Sequence, residues 1–302
     1  ALAGLYQQSG KNDKAYDEYK IVADRAGKED QGLNAKASMA ALKLADGDEK
    51  AGEELLEEVL AVDSVNAQAL TLRAALYLQR SNFKKSVADL REVLRSNPEN
   101  LQAQLLLARV HNQAGDTVLA EDAYRRALVI SPANEVATLE LTRILVARSK
   151  LGDARKMLEK QLEKSPDNRN FARALIGVQL AQELPEEAVA EAQRIAAIPG
   201  QEAAGNFLLG SVYQAEASHD KAVAAFQAAL KTAPTAAEPL RGMVASMIQL
   251  GRTDDARNYL TALADDYPDN LYVKTLLSQV LASAGNPDAG KEMIESALQS
   301  DA

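Results

Sequence analysis

Cysteine is absent from this 302-residue sequence, and with it go disulfide frameworks, thiolate metal clusters and thiol nucleophiles. The same absence leaves the redox compartment open. Tryptophan is also missing, phenylalanine occurs four times and histidine twice, so bulky rings do not dominate a core. No run of eighteen apolar residues occurs, which excludes a membrane-spanning helix in this sequence. Positive charge is in deficit, with 34 Lys and Arg against 43 Asp and Glu and a formal net charge of −9. That balance argues against nucleic-acid binding, which needs a concentrated basic surface. What is abundant is alanine and leucine, with Glu, Gln, Lys and Arg, the side chains that lose least on entering a helix. Helix is therefore expected throughout. The opening stretch ALAGLYQQSG reads as a helix already under way, so the chain is expected to be a piece of a longer protein, and the missing leader gives no address.

Sliding the sequence against itself at an offset of 34 brings it into register from Leu33 onward. The blocks are 33–66, 67–100, 101–134, 135–168, 169–202, 203–236, 237–270 and a shortened 271–302, preceded by a partial block over 1–32. Three extra residues, Asp30, Gln31 and Gly32, separate that partial block from the regular spacing. Position 20 holds Gly52, Ser86, Ala120, Ala154, Ala188, Ala222, Ala256 and Gly290, all small, as a close helix crossing requires. Position 7 (Met39, Arg73, Leu107, Leu141, Leu175, Leu209, Met243, Leu277) and position 24 (Leu56, Leu90, Tyr124, Leu158, Ala192, Phe226, Leu260, Ile294) are expected to fill the space beside it. Position 32 is Pro98, Pro132, Pro166, Pro234 and Pro268, a helix stop. Position 15 is Gly47, Gly115, Gly251 and Gly285, suited to a helix C-cap. Each block is thus predicted to be helix, short turn, helix and proline stop.

This pattern resembles the tetratricopeptide repeat over essentially the whole chain. The resemblance implies an all-α fold, a right-handed αα-superhelix of about nine helix-turn-helix repeats, forming a single array over 1–302. Block 169–202 departs from the pattern, with Glu183 where glycine is usual and its proline one place early at Pro199. A changed helix-pair angle is expected there rather than a domain boundary, because the spacing resumes at once.

Little in the sequence converges on catalysis. His111 falls inside a first helix, where a packed imidazole is expected, and His219 falls in a turn; neither has a partner at metal-ligand spacing. The acidic run EELLEEVL at 53–60 places Glu53, Glu54, Glu57 and Glu58 on an outer, solvated face and turns Leu55 and Leu56 inward. Arg125 and Arg126 occupy the same outer positions two blocks later. No phosphate-binding glycine loop and no calcium loop is present. No cofactor, no metal site and no catalytic residue is expected.

The family resemblance implies that first helices line a concave groove with positions 2, 5, 9, 12 and 13. Read at those positions, the binding candidates are Gln102, Arg109, Asn112 and Gln113, then Arg143, then Asn170 and Arg173. An arginine in each of three consecutive blocks suits an acidic peptide or carboxylate-bearing polymer. Capture of a chaperone C-terminal tail is not expected, since Arg173 is followed by Gly177 and Arg241 by Ala245 where that use requires amides. The expected function is a non-catalytic scaffold that binds partner proteins or extended peptides. The texture of the repeats is similar to that of long bacterial tetratricopeptide proteins of the exopolysaccharide and protein-sorting (PEP-CTERM type) envelope system, which implies a periplasmic or envelope location, with the cytoplasm as the alternative. A polysaccharide-binding solenoid is a further alternative, poorly served by Tyr6, Tyr77 and Tyr213, which share position 11 but do not occupy adjacent blocks. A third is the scaffold part of a protein whose catalytic domain lies outside this sequence.

Overall fold

The computed structural model describes residues 2–284, 290 and 291. Gly285 and Ile294 lie outside the described residues. Among those described there are seventeen helices and no strand. The chain divides into two compact units, Ala1–Ile144 and Leu145–Ala302. The first unit holds α1 Leu2–Gln8, α2 Asn12–Ala26, α3 Asp30–Ala45, α4 Glu49–Val62, α5 Ala67–Gln79, α6 Phe83–Ser96, α7 Leu101–Gln113 and α8 Thr117–Ile130. The division falls inside α9 Glu135–Ala147. The second unit continues with α10 Leu151–Lys164, α11 Arg169–Ala181, α12 Pro185–Ala196, α13 Glu202–Ala215, α14 His219–Leu230, α15 Ala237–Gln249, α16 Thr253–Asp266 and α17 Leu271–Ser283. The first helices from α5 onward start within a residue of the 34-residue block boundaries. The three extra residues Asp30, Gln31 and Gly32 add a turn to the front of α3, which runs for 16 residues.

Within each unit, consecutive helices pack together, and first helices of neighbouring repeats also touch, α3 on α5 and α5 on α7, then α11 on α13 and α13 on α15. Every position-20 residue is buried, from Gly52 to Gly290. A Cβ on Gly52 would come within 2.5 Å of Leu44 Cδ2, so the crossing leaves no room for a larger side chain. Position 24 is equally buried at Leu56, Leu90, Tyr124, Leu158, Ala192, Phe226 and Leu260. Position 7 is less uniform. Leu107 and Leu209 are half-buried, and Arg73 enters as a charge. Its guanidinium donates from Nε and Nη2 to the two oxygens of buried Asp89, both at 2.8 Å. That bidentate pairing lets a charged residue stand in an apolar row.

The caps follow the period as well. The asparagine at position 34 precedes the next first helix, and the side chains of Asn66, Asn100, Asn134, Asn168 and Asn270 accept hydrogen bonds from the backbone N–H of Ala69, Ala103, Ala137, Phe171 and Val273. Between paired helices the chain takes a left-handed residue at position 15 in every repeat from 33 to 270. Glycine supplies it at Gly47, Gly115 and Gly251; Ser81, Ser149, Glu183 and Ala217 adopt it with φ between 55 and 62°. The turn at Glu183 is therefore preserved, and what changes in that repeat is the end of its second helix. Pro199 disfavours helix in the residue before it, so α12 stops at Ala196 and the chain turns through Gly200 at φ 80°. His219 is a correction to the sequence reading. It is the first residue of α14, because the left-handed residue is Ala217 and the helix starts directly after Ser218.

A left-handed alanine carries Cβ strain that glycine lacks. Ala217→Gly is expected to stabilise the second unit by about 1 kcal/mol, read as a higher urea midpoint; an unchanged or lower midpoint contradicts it.

Candidate peptide-binding groove

On α7, residues 102, 105, 109, 112 and 113 recur at steps of three and four and so share one helix face. Gln102, Leu105, Arg109, Asn112 and Gln113 line one open cavity of about 620 Å³ in the first unit. Leu106, Tyr124 of α8, and Val136 and Glu140 of α9 complete the lining. Polar heads at the rim and leucines between them give a surface that can hold an extended chain by its amides and its apolar side chains together.

A second cavity of about 520 Å³ lies in the same unit, lined by Asn34, Gln68, Thr71, Leu72 and Asn100, and again by Gln102. Gln102 lines both, so the two cavities are neighbours. Asn34, Gln68 and Gln102 are successive position-2 residues, so an amide recurs in three consecutive repeats before Val136 takes the position in the fourth. Asn34 accepts from Asn66 Nδ2 at 3.2 Å, and Gln68 donates from Nε2 to Ser38 Oγ at 3.0 Å. Asn34, Gln68 and Thr71 were missing from the sequence reading, although positions 2 and 5 of the two earlier blocks point to them.

The electrostatics narrow the arginine stripe. Arg109 is exposed and makes no ion pair among the described residues. Arg143 is exposed but pairs with Glu140, three residues earlier on α9. Its charge is thereby offset at the cavity that Glu140 lines, leaving Arg109 as the uncompensated cation. Tyr124 contributes no charge at neutral pH, and burial pushes its phenol further up, to about 12. Asn170 and Arg173 belong to the second unit. Asn170 is exposed on α11, while Arg173 stands 3.7 Å from Glu238 and 5.7 Å over the Phe207 ring.

The outer faces behave as solvated helix surface. Arg125 pairs with Glu121 and Arg126 with Asp122, both one turn back on α8. Glu58 meets Lys36 at 2.7 Å, and Glu53 and Glu49 meet Arg80. Among the described residues, no group of three or more His, Cys, Asp or Glu is placed to hold a metal ion, and no helix is long and apolar enough to cross a membrane.

Helix pairs with small buried crossings, left-handed turns and a 34-residue period are the marks of one repeat family, and comparison with known proteins returns it. Tetratricopeptide repeat models match residues 71–135, 139–207 and 213–280. The chain belongs to the tetratricopeptide repeat family. Among solved structures, a tetratricopeptide repeat protein from Parabacteroides merdae is similar with a TM-score of 0.52 at 15% identity, covering 82% of this chain and 96% of that one. PilF of Pseudomonas aeruginosa is similar at 19% identity with a TM-score of 0.47, covering 72% of this chain and 98% of that one. The pilus biogenesis factor PilW gives 19% identity and a TM-score of 0.48, covering 70% and 98%. No curated protein matches the sequence. At these identities the likeness concerns the fold. Proteins of this repeat family are typically non-catalytic scaffolds that bind proteins or peptides, and an all-α array of helical repeats is the fold class of this chain.

Proposed function

We propose that this tetratricopeptide repeat chain is a non-catalytic scaffold that binds an extended, acidic peptide segment of a partner protein in the groove of its first unit. The observation that carries the reading is the groove made by two neighbouring cavities that share Gln102. Amides at Asn34, Gln68 and Gln102 recur along it, and Arg109 stands in it without an acidic partner among the described residues. Amides suit the repeating N–H and C=O groups of an extended backbone, and the free guanidinium selects a carboxylate in a molecule that is otherwise acidic. The uninterrupted 34-residue phase supports reading the whole chain as one array. The Ala-, Gln- and Leu-rich texture of the repeats favours a bacterial envelope or polysaccharide-export assembly as the setting.

The experiment is a fluorescence anisotropy titration with a labelled Asp- and Glu-rich peptide. Arg109→Glu is expected to weaken binding by about tenfold or more, the loss of one charge-assisted contact. Lys84→Glu, on the exposed surface of α6, is expected to change nothing. Equal affinity for wild type and Arg109→Glu would sink the proposal.

A further inference from the structure

The opposite side of α7 carries a second constellation, separate from the groove. A cavity of about 400 Å³ in the first unit is lined by Arg91, Arg95, Arg126, His111 and Asp122, with Leu94, Pro98, Leu107 and Leu119 among its apolar walls. Three arginines face one aspartate there, in a chain whose net charge is −9. Arg95 spends part of its guanidinium on Glu92 and Arg126 on Asp122, and each fork has donors beyond those pairs. Arg91 is exposed and makes no ion pair among the described residues. His111 is only 6% exposed, and its Nδ1 has no hydrogen-bond partner, the nearest acidic oxygen being Asp116 Oδ2 at 3.7 Å.

We propose that this cavity is a binding site for a phosphate-type oxyanion, held by Arg91, Arg95 and Arg126 with His111 in its lining. The arginine donors come from two helices, α6 and α8, with His111 of α7 in the wall between them. They therefore approach from different directions, which fits the oxygens of a tetrahedral group better than the two coplanar oxygens of a carboxylate. Asp122 offsets part of the charge of Arg126, as Glu92 does for Arg95, so the net attraction comes from Arg91 and from the guanidinium donors those two pairs leave over.

His111 is its own reporter. Burial holds the imidazole below its usual value, Asp116 acts to raise it and Arg91 to lower it; Arg95, Arg126 and Asp122 line the same cavity. A bound dianion adds negative charge beside the ring and must raise its apparent pKa. The chain has only two histidines, so an NMR titration of the intact protein resolves both, with His219 as the internal control. With inorganic pyrophosphate, the His111 apparent pKa is expected to rise and the His219 ring resonances at fixed pH to stay in place. Arg91→Gln together with Arg126→Gln is expected to weaken pyrophosphate binding by about tenfold or more, with helical content unchanged. Citrate at matched ionic strength is expected to produce a smaller shift. A phosphoserine peptide run in parallel separates the two sources of the group: tighter binding than pyrophosphate assigns a modified side chain of a partner, and weaker binding assigns a free phosphorylated ligand. No His111 shift beyond that in sodium chloride, or equal shifts at both histidines, overturns the proposal. Because Arg109→Glu leaves this cavity intact, failure here and failure of the groove reading are distinguishable.

Discussion

Phe226→Ala is expected to destabilise the second unit by about 3–5 kcal/mol, the upper range for truncating a buried aromatic. The ring is 1% exposed and is the largest fully buried side chain among the described residues. Two glycines on neighbouring first helices make its slot. A Cβ on Gly210 of α13 would lie 2.6 Å from Phe226 Cδ1, and one on Gly242 of α15 would lie 2.5 Å from its Cζ. Phe207 closes the slot with its ring centroid 6.1 Å away. The two glycines that form the slot have no side chains to fill the void, so a cavity term adds to the lost transfer energy. Because each repeat is stabilised by its neighbours, the loss should spread to α13, α14 and α15. Hydrogen exchange resolved by peptide reads it directly: faster exchange across all three helices is expected, and exchange confined to α14 or unchanged would contradict it.

Gly205→Ala carries the second large effect. Position 3 is alanine at Ala35, Ala69, Ala103 and Ala137, so the substitution looks conservative in the repeat. The structure says otherwise, because a Cβ on Gly205 would come within 2.1 Å of Ala196 N and 2.3 Å of Ala196 Cα. These are backbone atoms and cannot step aside as a flexible side-chain end could. The origin is Pro199, which ends α12 early and brings the start of α13 onto its last turn. An overpacking cost of about 1–3 kcal/mol or more is expected. Gly177→Ala makes the same chemical change on an exposed face of α11 with nothing within 4 Å. It is expected to stabilise by about 0.5–1 kcal/mol through helix propensity alone. Denaturant midpoints that move in opposite directions support both statements; midpoints that move together contradict the close approach at Ala196.

The repeat made much of this legible in advance. The small residues at position 20 identify the crossings because one geometric demand recurs every 34 residues, and chance does not keep eight positions small in phase. The turns were half legible: Gly47, Gly115 and Gly251 announce a left-handed residue, while Ser81, Ser149, Glu183 and Ala217 take the same conformation without the residue that signals it. Tertiary packing imposes it on them. Arg73 and Asp89 were not legible as a pair, because their contact depends on how α5 crosses α6.

At the groove, Gln102, Arg109, Asn112 and Gln113 were legible from helix phase and family resemblance together. The offset of Arg143 by Glu140 was within reach, since residues three apart on a helix are neighbours. The pairing of Arg173 with Glu238 joins residues two repeats apart, and no local rule finds it. The cavity on the far side of α7 was hidden for a similar reason: Arg91, Arg95, His111 and Arg126 lie on three helices whose packing alone brings them together.

Where the partner lies is the point on which the rest depends. Photo-crosslinking measures it: p-benzoylphenylalanine is placed at Leu105, which lines the groove, or at Val129, which is 80% exposed on α8 and lines none of the three cavities described for the first unit. With the labelled Asp- and Glu-rich peptide, crosslinking from position 105, lost when Arg109→Glu is added, is the expected result. Crosslinking from position 129 and none from 105 would contradict a groove-bound peptide.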